Sequence, residues 1–249
     1  MYAAMTLKKR GHQVTLFEKS DALGGQIKTA RYPTFKWRLR RYLDYLIGQM
    51  DRQQIDVRLQ TEATPELLAA GNYDVILAAT GAVPKAPNIP GAEYAKWNIV
   101  NIYGHAQELG EKVVVIGGSS GAAEGAIYLA QNGHQVIELS RKNIVGYDLN
   151  PVHARGPFNM KSRVAGVQLI KNAKTTRIQE HCVYYLDENG QEQSIPCDDI
   201  LAAGGMAPEN KAALAFYGLA KEFYCIGDAR EAGTMRTAIR DAYAVAVRI

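Results

Sequence analysis

Two stretches of the chain are variants of one sequence, and that repetition constrains the fold more than any other feature. LKKRGHQVTLFEKSDALGG begins at Leu7, and LAQNGHQVIELSRKNIVGY begins at Leu129. The tetrapeptide GHQV recurs 122 residues on, Gly11 against Gly133, and Gly24 then falls against Gly146. Each copy reads as a helix end, a glycine turn and a buried strand. The glycine suits a left-handed helix C-cap, and the apolar run after it suits a parallel strand covered on both faces.

The second copy has a visible opening. Lys112–Ile116 (KVVVI) is short, apolar and β-branched, the composition of a strand. Gly117-Gly118-Ser119-Ser120-Gly121-Ala122 follows, and 123–132 reads as a helix. Strand, glycine turn, helix and strand make the βαβ unit of a dinucleotide-binding fold. In the first copy Met1 aligns with Ala123, so 111–122 has no counterpart there. The simplest expectation is a fragment, or a mis-started reading frame, of a longer protein. The fold expected is α/β, with two Rossmann-like dinucleotide-binding units, the second inserted in the first. The first would comprise 1–104 and 213–249, and the second 105–212.

Elsewhere, 39–50 has helical character, 73–79 (YDVILAA) is another buried strand, and 80–91 is a loop with three prolines. A composition break at 104–110 marks the expected boundary. Cys182–Leu186 and 192–195 read as strands around Glu188-Asn189-Gly190, a hairpin signal. Strands are expected at 200–203 and 223–226, and a helix at 237–249. A two-residue Asn-Gly turn would set Cys182 opposite Cys197, which makes a disulfide geometrically conceivable. Pro196 disturbs that ladder, and thiols of a cytoplasmic protein stay reduced.

Composition excludes several classes. Hydrophobic residues are 47% and charged residues 22%, ordinary for a soluble globular protein. The net charge of +4, from 29 basic and 25 acidic residues, is a mild excess. The short runs Lys8-Lys9-Arg10 and Arg38-Leu39-Arg40-Arg41 read as solvated helix faces rather than a nucleic-acid patch. No apolar run reaches membrane-spanning length, and the N-terminal order is not that of a signal peptide, so a cytoplasmic protein is expected. Cys182, Cys197 and Cys225 form no C-x-x-C, which argues against a metal knuckle or a redox dithiol. His12, His105, His134, His153 and His181 are scattered, and structural roles are expected for all five.

Several motifs carry chemistry. Glu18 ends the second strand of the first repeat, where a carboxylate can accept both hydroxyl hydrogens of an adenosine ribose. Gly24-Gly25-Gln26 follows, and paired glycines let backbone approach a bulky ligand. In the second repeat the fingerprint G-x-G-x-x-G/A becomes Gly117, Ser119, Ala122, with a serine side chain where backbone should approach a pyrophosphate. At the next strand end the acid is replaced by Ser140-Arg141-Lys142. A hydroxyl and two cations suit a 2′-phosphate, so NADPH is favoured over NADH. An unoccupied Rossmann domain is the bland alternative. A rival reading takes Gly117-Gly118-Ser119-Ser120-Gly121 as a G-x-S-x-G nucleophile elbow, with Asp148 and His181 completing a serine-hydrolase triad.

Ala79-Thr80-Gly81-Ala82-Val83-Pro84 with Ile89-Pro90-Gly91 resembles the ATG-type motif of FAD/NAD(P)-linked reductases of the pyridine nucleotide-disulfide reductase type. Asp199 through Pro208 (DILAAGGMAP) resembles their second such motif, and Ile226-Gly227-Asp228-Ala229 their flavin motif. Gly24-Gly25-Gln26 and Gly227-Asp228-Ala229-Arg230-Glu231 are most similar to the C-terminal half of the 2,4-dienoyl-CoA reductase and trimethylamine dehydrogenase family, related to old yellow enzyme. The resemblance covers nearly the whole chain. It implies an NAD(P)H oxidoreductase module in which hydride passes from a nicotinamide nucleotide (NADP or NAD) to FAD. An N-terminal barrel carrying FMN and a 4Fe-4S cluster would be the missing partner. The implied flavin contacts are Glu18, Lys19, Gly24, Gly25, Gln26, Ala63, Ala79, Thr80, Gly81, Gly227 and Asp228. Those to the nicotinamide nucleotide are Gly117, Gly118, Ser119, Ser120, Ser140, Arg141, Lys142 and Gly204. No side-chain acid or base is implied. Relatives of the trimethylamine dehydrogenase type leave open an ADP-binding module without turnover.

Overall fold

The computed structural model describes residues 1–249, the side chains of Val152 and His153 excepted. The chain forms two compact units, Met1–Val83 with Met206–Ile249, and Pro84–Gly205. The first contains α1 (Tyr2–Lys9), β1 (Thr15–Phe17), α2 (Trp37–Arg52), β2 (Asp56–Arg58), α3 (Pro65–Ala70) and β3 (Val75–Ala78). In α2, Leu43, Leu46 and Met50 recur on one stripe and are buried. In α3, Thr64 accepts from the Leu67 amide and Pro65 sits in the first turn, so both ordinary start signals are present. β4 (Ala82–Pro84) leads out of this unit.

The second unit contains β5 (Trp97–Asn98), β6 (Lys112–Ile116), α4 (Ser120–Gln131), β7 (Gln135–Leu139), α5 (Gly156–Val164) and β8 (Gln168–Ile170). Then come β9 (Lys174–Gln179), β10 (Cys182–Leu186), β11 (Glu192–Pro196) and β12 (Asp199–Ala202). A parallel sheet runs β5-β12-β6-β7-β8, with β6 at its centre, and β9, β10 and β11 form an antiparallel sheet. Val113, Val114 and Val115 are fully buried because helices cover one face of β6 and the antiparallel sheet the other. The chain returns through β13 (Met206–Pro208), hydrogen-bonded to β4, then α6 (Asn210–Leu214), β14 (Glu222–Cys225) and α7 (Met235–Ala246). A Thr234/Thr237 capping box starts α7.

The repeat holds at the level of single hydrogen bonds. Gly11 and Gly133 sit at φ +94° and +96°, and the amides of His12 and His134 donate to the carbonyls of Leu7 and Leu129 at 3.2 and 3.3 Å. Glu18 and Ser140 are equivalent: their amides donate to Arg58 and Ile170 at 2.9 Å each. β1–β2 therefore matches β7–β8, and both pairs are parallel. β3 matches β12 in turn, followed by Gly81 and Gly205 at φ +83° and +90°. The sheets differ in one respect. β12 and β7 are joined through β6, whereas β1-β2 and β3-β14 are separate two-stranded sheets.

Two expectations are corrected. The crossings between units fall at 83/84 and 205/206 rather than 104/105 and 212/213. The reason is β5: it pairs with β12, and the Trp97 indole donates to Asp199 Oδ1 at 3.0 Å. Cys182 faces Pro196, not Cys197, and all three cysteines are free. The hairpin turn is longer than Asn-Gly because the Asp187 carboxylate accepts from the amides of Asn189 and Gln191, which shifts the register by one. Burial pushes the Cys197 thiol up to about 12. No helix among the described residues is long and apolar enough to cross a membrane. Of the histidines, His105 pairs with Glu108 and His134 bonds the Gly110 carbonyl, while the His153 side chain lies outside the described residues.

Glu138 breaks the apolar pattern of β7. It is fully buried, and neither carboxyl oxygen has a hydrogen-bond partner among the described residues. Desolvation raises its pKa from 4.5 to about 8. The folded state thus holds a proton that the unfolded state releases near pH 4.5, and stability is lost as pH rises from there toward 8. Glu138→Gln is expected to melt near the parent chain at pH 5 and about 5 °C or more above it at pH 8. Thermal melts across that range check this, and a gap independent of pH contradicts it.

Candidate functional site

In both units the chemistry-bearing residues follow the carboxyl ends of parallel strands, where open α/β sheets bind ligands. In the first unit Glu18 follows β1, Ala79-Thr80-Gly81 follows β3, and Gly227-Asp228 follows β14. The Glu18 carboxylate accepts from the amide and hydroxyl of Ser20 at 2.9 and 2.8 Å, and Lys28 Nζ donates to that hydroxyl at 2.8 Å. Lys19 is exposed, and Ala63 packs into the core beside Phe17.

Gly24 and Gly25 both require positive φ, +124° and +50°. A Cβ on Gly24 would meet Leu43 at 2.8 Å, while one on Gly25 would meet nothing within 4 Å, so the open side of this turn is at Gly25. Gln26 Nε2 donates to the Ala82 carbonyl at 2.6 Å, which ties the glycine turn to β4. Gly81 O accepts from the Glu209 amide at 3.0 Å. Asp228 Oδ1 accepts from the Gly233 amide at 3.1 Å, and the Gly227 amide donates to Asp241. This set fits the two ends of an FAD: a carboxylate at the ribose end, and glycine backbone with a second carboxylate at the flavin end.

In the second unit a glycine-rich turn, Gly117–Gly121, follows β6 and leads into α4. Gly117 adopts φ +148°, and a Cβ there would meet Ala203 and Ala122 at 2.9 and 3.1 Å, so a side chain is excluded on two sides. A Cβ on Gly118 would overlap Ser140 Oγ, and one on Gly204 would overlap the Lys85 carbonyl. Ser119 is the N-cap of α4, its Oγ accepting from the Ala122 amide at 3.4 Å. Ser140 does not face outward. It is fully buried, donates to the Ile144 carbonyl at 3.2 Å and accepts from the Lys142 amide at 3.3 Å, so it organises the loop rather than receiving a phosphate. Arg141 is exposed, and the Lys142 ammonium lies 3.7 Å from the Tyr147 ring centroid.

A residue singled out only for the hydrolase reading has another role. The Ser120 amide donates to Asp148 Oδ1 at 2.7 Å and its hydroxyl to Oδ2 at 2.5 Å. A carboxylate thus occupies the anion position at the α4 N-terminus, where backbone N–H groups and the helix dipole favour negative charge. Arg155 braces that loop through the carbonyls of Gly146, Tyr147 and Leu149. Asp148 and His181 do not assemble a triad on Ser119. His181 lies beside Lys112, the first residue of β6, whereas Ser119 follows the last. At roughly 3.3 Å per residue the two are about a strand length apart.

The sequence pattern described as pyridine nucleotide-disulphide oxidoreductase matches residues 1–246. The chain is 30% identical to an NADH oxidase of Thermoanaerobacter brockii, over 100% of this chain and 39% of that protein. It is 32% identical to a bilirubin reductase of Mediterraneibacter gnavus, over 99% and 38%. Among solved structures it superimposes on a 2-naphthoyl-CoA reductase complexed with 2-naphthoyl-CoA, with a TM-score of 0.94 and 29% identity over 100% of this chain and 38% of that one. The histamine dehydrogenase of Rhizobium sp. 4-9, at 20% identity and a TM-score of 0.88, shares the fold. The chain spans about two fifths of the length of the curated relatives it matches.

Asp148 competes with any phosphate for the α4 N-terminus. Asp148→Asn keeps an acceptor for Ser120 and removes the charge, and is expected to tighten NADPH binding roughly tenfold. Titration calorimetry checks this. An unchanged Kd contradicts it.

Proposed function

We propose, from the premise that the chain belongs to the pyridine nucleotide-disulphide oxidoreductase family, that it is the FAD- and NAD(P)-binding part of a flavin-dependent oxidoreductase. The family binds FAD and NAD(P) and is enzymatic. One observation carries the division of labour between the units. Glu18 and Ser140 occupy equivalent backbone positions, each donating its amide at 2.9 Å to the neighbouring strand, yet their surroundings have opposite chemistry. A carboxylate in the first unit accepts ribose hydroxyls and repels a 2′-phosphate, which suits FAD. A serine followed by Arg141 and Lys142 admits a 2′-phosphate, which suits NADPH.

Bound FAD would supply a two-electron acceptor for the hydride of NAD(P)H, with the balance NAD(P)H + FAD + H⁺ to NAD(P)⁺ + FADH₂. This chain's residues bind and orient. Glu18 holds the adenosine end, Gly25 leaves room for the flavin, and Asp228 fixes the ribityl side. Gly117 and Gly118 shape the turn over which the nicotinamide nucleotide lies, and Arg141 sets the preference between NADPH and NADH. The relatives are longer, and the terminal acceptor belongs to a barrel domain carrying FMN and a 4Fe-4S cluster, the partner implied by the resemblance. A second reading has one observation in its favour. Asp148 seated at the α4 N-terminus fits a nucleotide-binding fold kept for structure, without turnover.

The test is a visible spectrum of the chain desalted after incubation with excess FAD, then anaerobic addition of NADPH. Retained flavin bands that bleach with NADPH, and bleach no faster with NADPH than with NADH once Arg141 and Lys142 are alanine, are expected. Retained flavin that NADPH never reduces contradicts the oxidoreductase reading in favour of the structural one.

A further inference from the structure

We propose that Ser20 and Lys28 are positioning residues for the adenosine end of the cofactor in the first unit. Lys28 acts through the Ser20 hydroxyl to lock one oxygen of the Glu18 carboxylate, and the other oxygen is left to accept from the ribose. The inference rests on the reading that this unit binds FAD through Glu18. The resemblance implies a cofactor contact for Glu18 and for neither Ser20 nor Lys28.

The argument for Lys28 is an accounting of hydrogens. A serine hydroxyl has one hydrogen to give. Ser20 Oγ lies within reach of two acceptors, Glu18 Oε1 at 2.8 Å and the Ala22 carbonyl at 2.9 Å, and cannot serve both. Lys28 Nζ decides between them. It donates to Ser20 Oγ at 2.8 Å and to the Ala22 carbonyl at 3.3 Å. The carbonyl is then supplied by the ammonium, and the hydroxyl hydrogen goes to Glu18. Oε1 also accepts from the Ser20 amide at 2.9 Å, so both of its lone pairs are used. Oε2 accepts no hydrogen bond among the described residues. A carboxylate already held in this way loses less rotamer freedom when a ribose binds.

Lys28 also joins this end of the site to the glycine turn. It lies in the short 3₁₀ helix Gly25–Arg31, directly after Gly24. A Cβ on Gly24 would approach Lys28 Cγ at 3.1 Å, so the lysine stem runs against the glycine while its head reaches Ser20. Gln26 of the same helix donates to the Ala82 carbonyl. One segment is thus tied to Glu18 through Lys28 and to β4 through Gln26. The backbone beneath is held separately. The Glu18 amide donates to Arg58, and the Glu18 and Ser20 carbonyls accept from the amides of Thr61 and Gln60 at 3.0 and 2.9 Å. Removing the ammonium therefore releases side chains and leaves the strand end in place.

The test is a double-mutant cycle on FAD affinity, read from the fluorescence of the flavin. Lys28→Met keeps the stem and removes the donors, and is expected to raise the FAD Kd about tenfold. Lys28→Arg, which keeps a cationic donor, is expected to recover most of that loss. In a Glu18→Ala background Lys28→Met is expected to cost nothing more, because the carboxylate through which it acts is gone. A merely structural lysine would weaken FAD equally in both backgrounds. That result, or no effect of Lys28→Met in either, overturns the proposal while the dependence on Glu18 stands. If Glu18→Ala itself leaves the FAD Kd of the chain unchanged, the reading of Glu18 fails and the proposal falls with it. If Lys28→Met does not fold, Ser20→Ala, which leaves the lysine stem against Gly24, enters the same cycle and is judged by the same outcomes.

Discussion

A strand in the middle of a parallel sheet is fixed from both edges, and β6 is where this constraint is met. Its amides and carbonyls are matched by β7 and β12, its side chains are buried on both faces, and its carboxyl end delivers Gly117 to a turn packed closely against Ala203 and Ala122. The turn, α4 and the loop bearing Ser140 all take their positions from that strand. Gly118 is glycine because Ser140 Oγ fills the space a Cβ would need. In the first unit the corresponding strands are present with the same turns, as the separate pairs β1–β2 and β3–β14.

The functional contrast between the units is electrostatic and rests on a shared backbone. Two strand ends of identical geometry present Glu18 in one unit and a buried Ser140 followed by cationic side chains in the other. The same scaffold thereby carries a carboxylate at one strand end and cationic side chains at the other. Asp148 adds a second layer: the anion position at α4 is already taken by a carboxylate.

Much of the fold is legible in the sequence because its signals are local. A glycine at positive φ after a helix, then a buried strand, has narrow residue requirements, and GHQV meets them twice. The crossing at 83/84 was not legible, because β5 is only Trp97–Asn98 and two residues carry no periodicity. The hairpin register depended on the Asp187 carboxylate reaching forward to two amides, which no turn dipeptide reports. Ser140 was legible as a position but not as an orientation, since its burial depends on Ile144 folding back over it. Asp148 reaches its place only through a loop braced by Arg155. Glu138 did leave a signal: strand alternation puts it on the same face as buried Val136.

Amide hydrogen exchange on the chain, resolved by strand, tests most directly whether β6 and its neighbours are fixed from both edges. Backbone groups held on both edges exchange only through global opening, whereas those on an open edge exchange locally. The expected result is strong protection of Val113–Ile116 and Val136–Leu139 with fast exchange of Gln13, Asp74 and Ala79. Equal protection of the equivalent amides in the two units would contradict it.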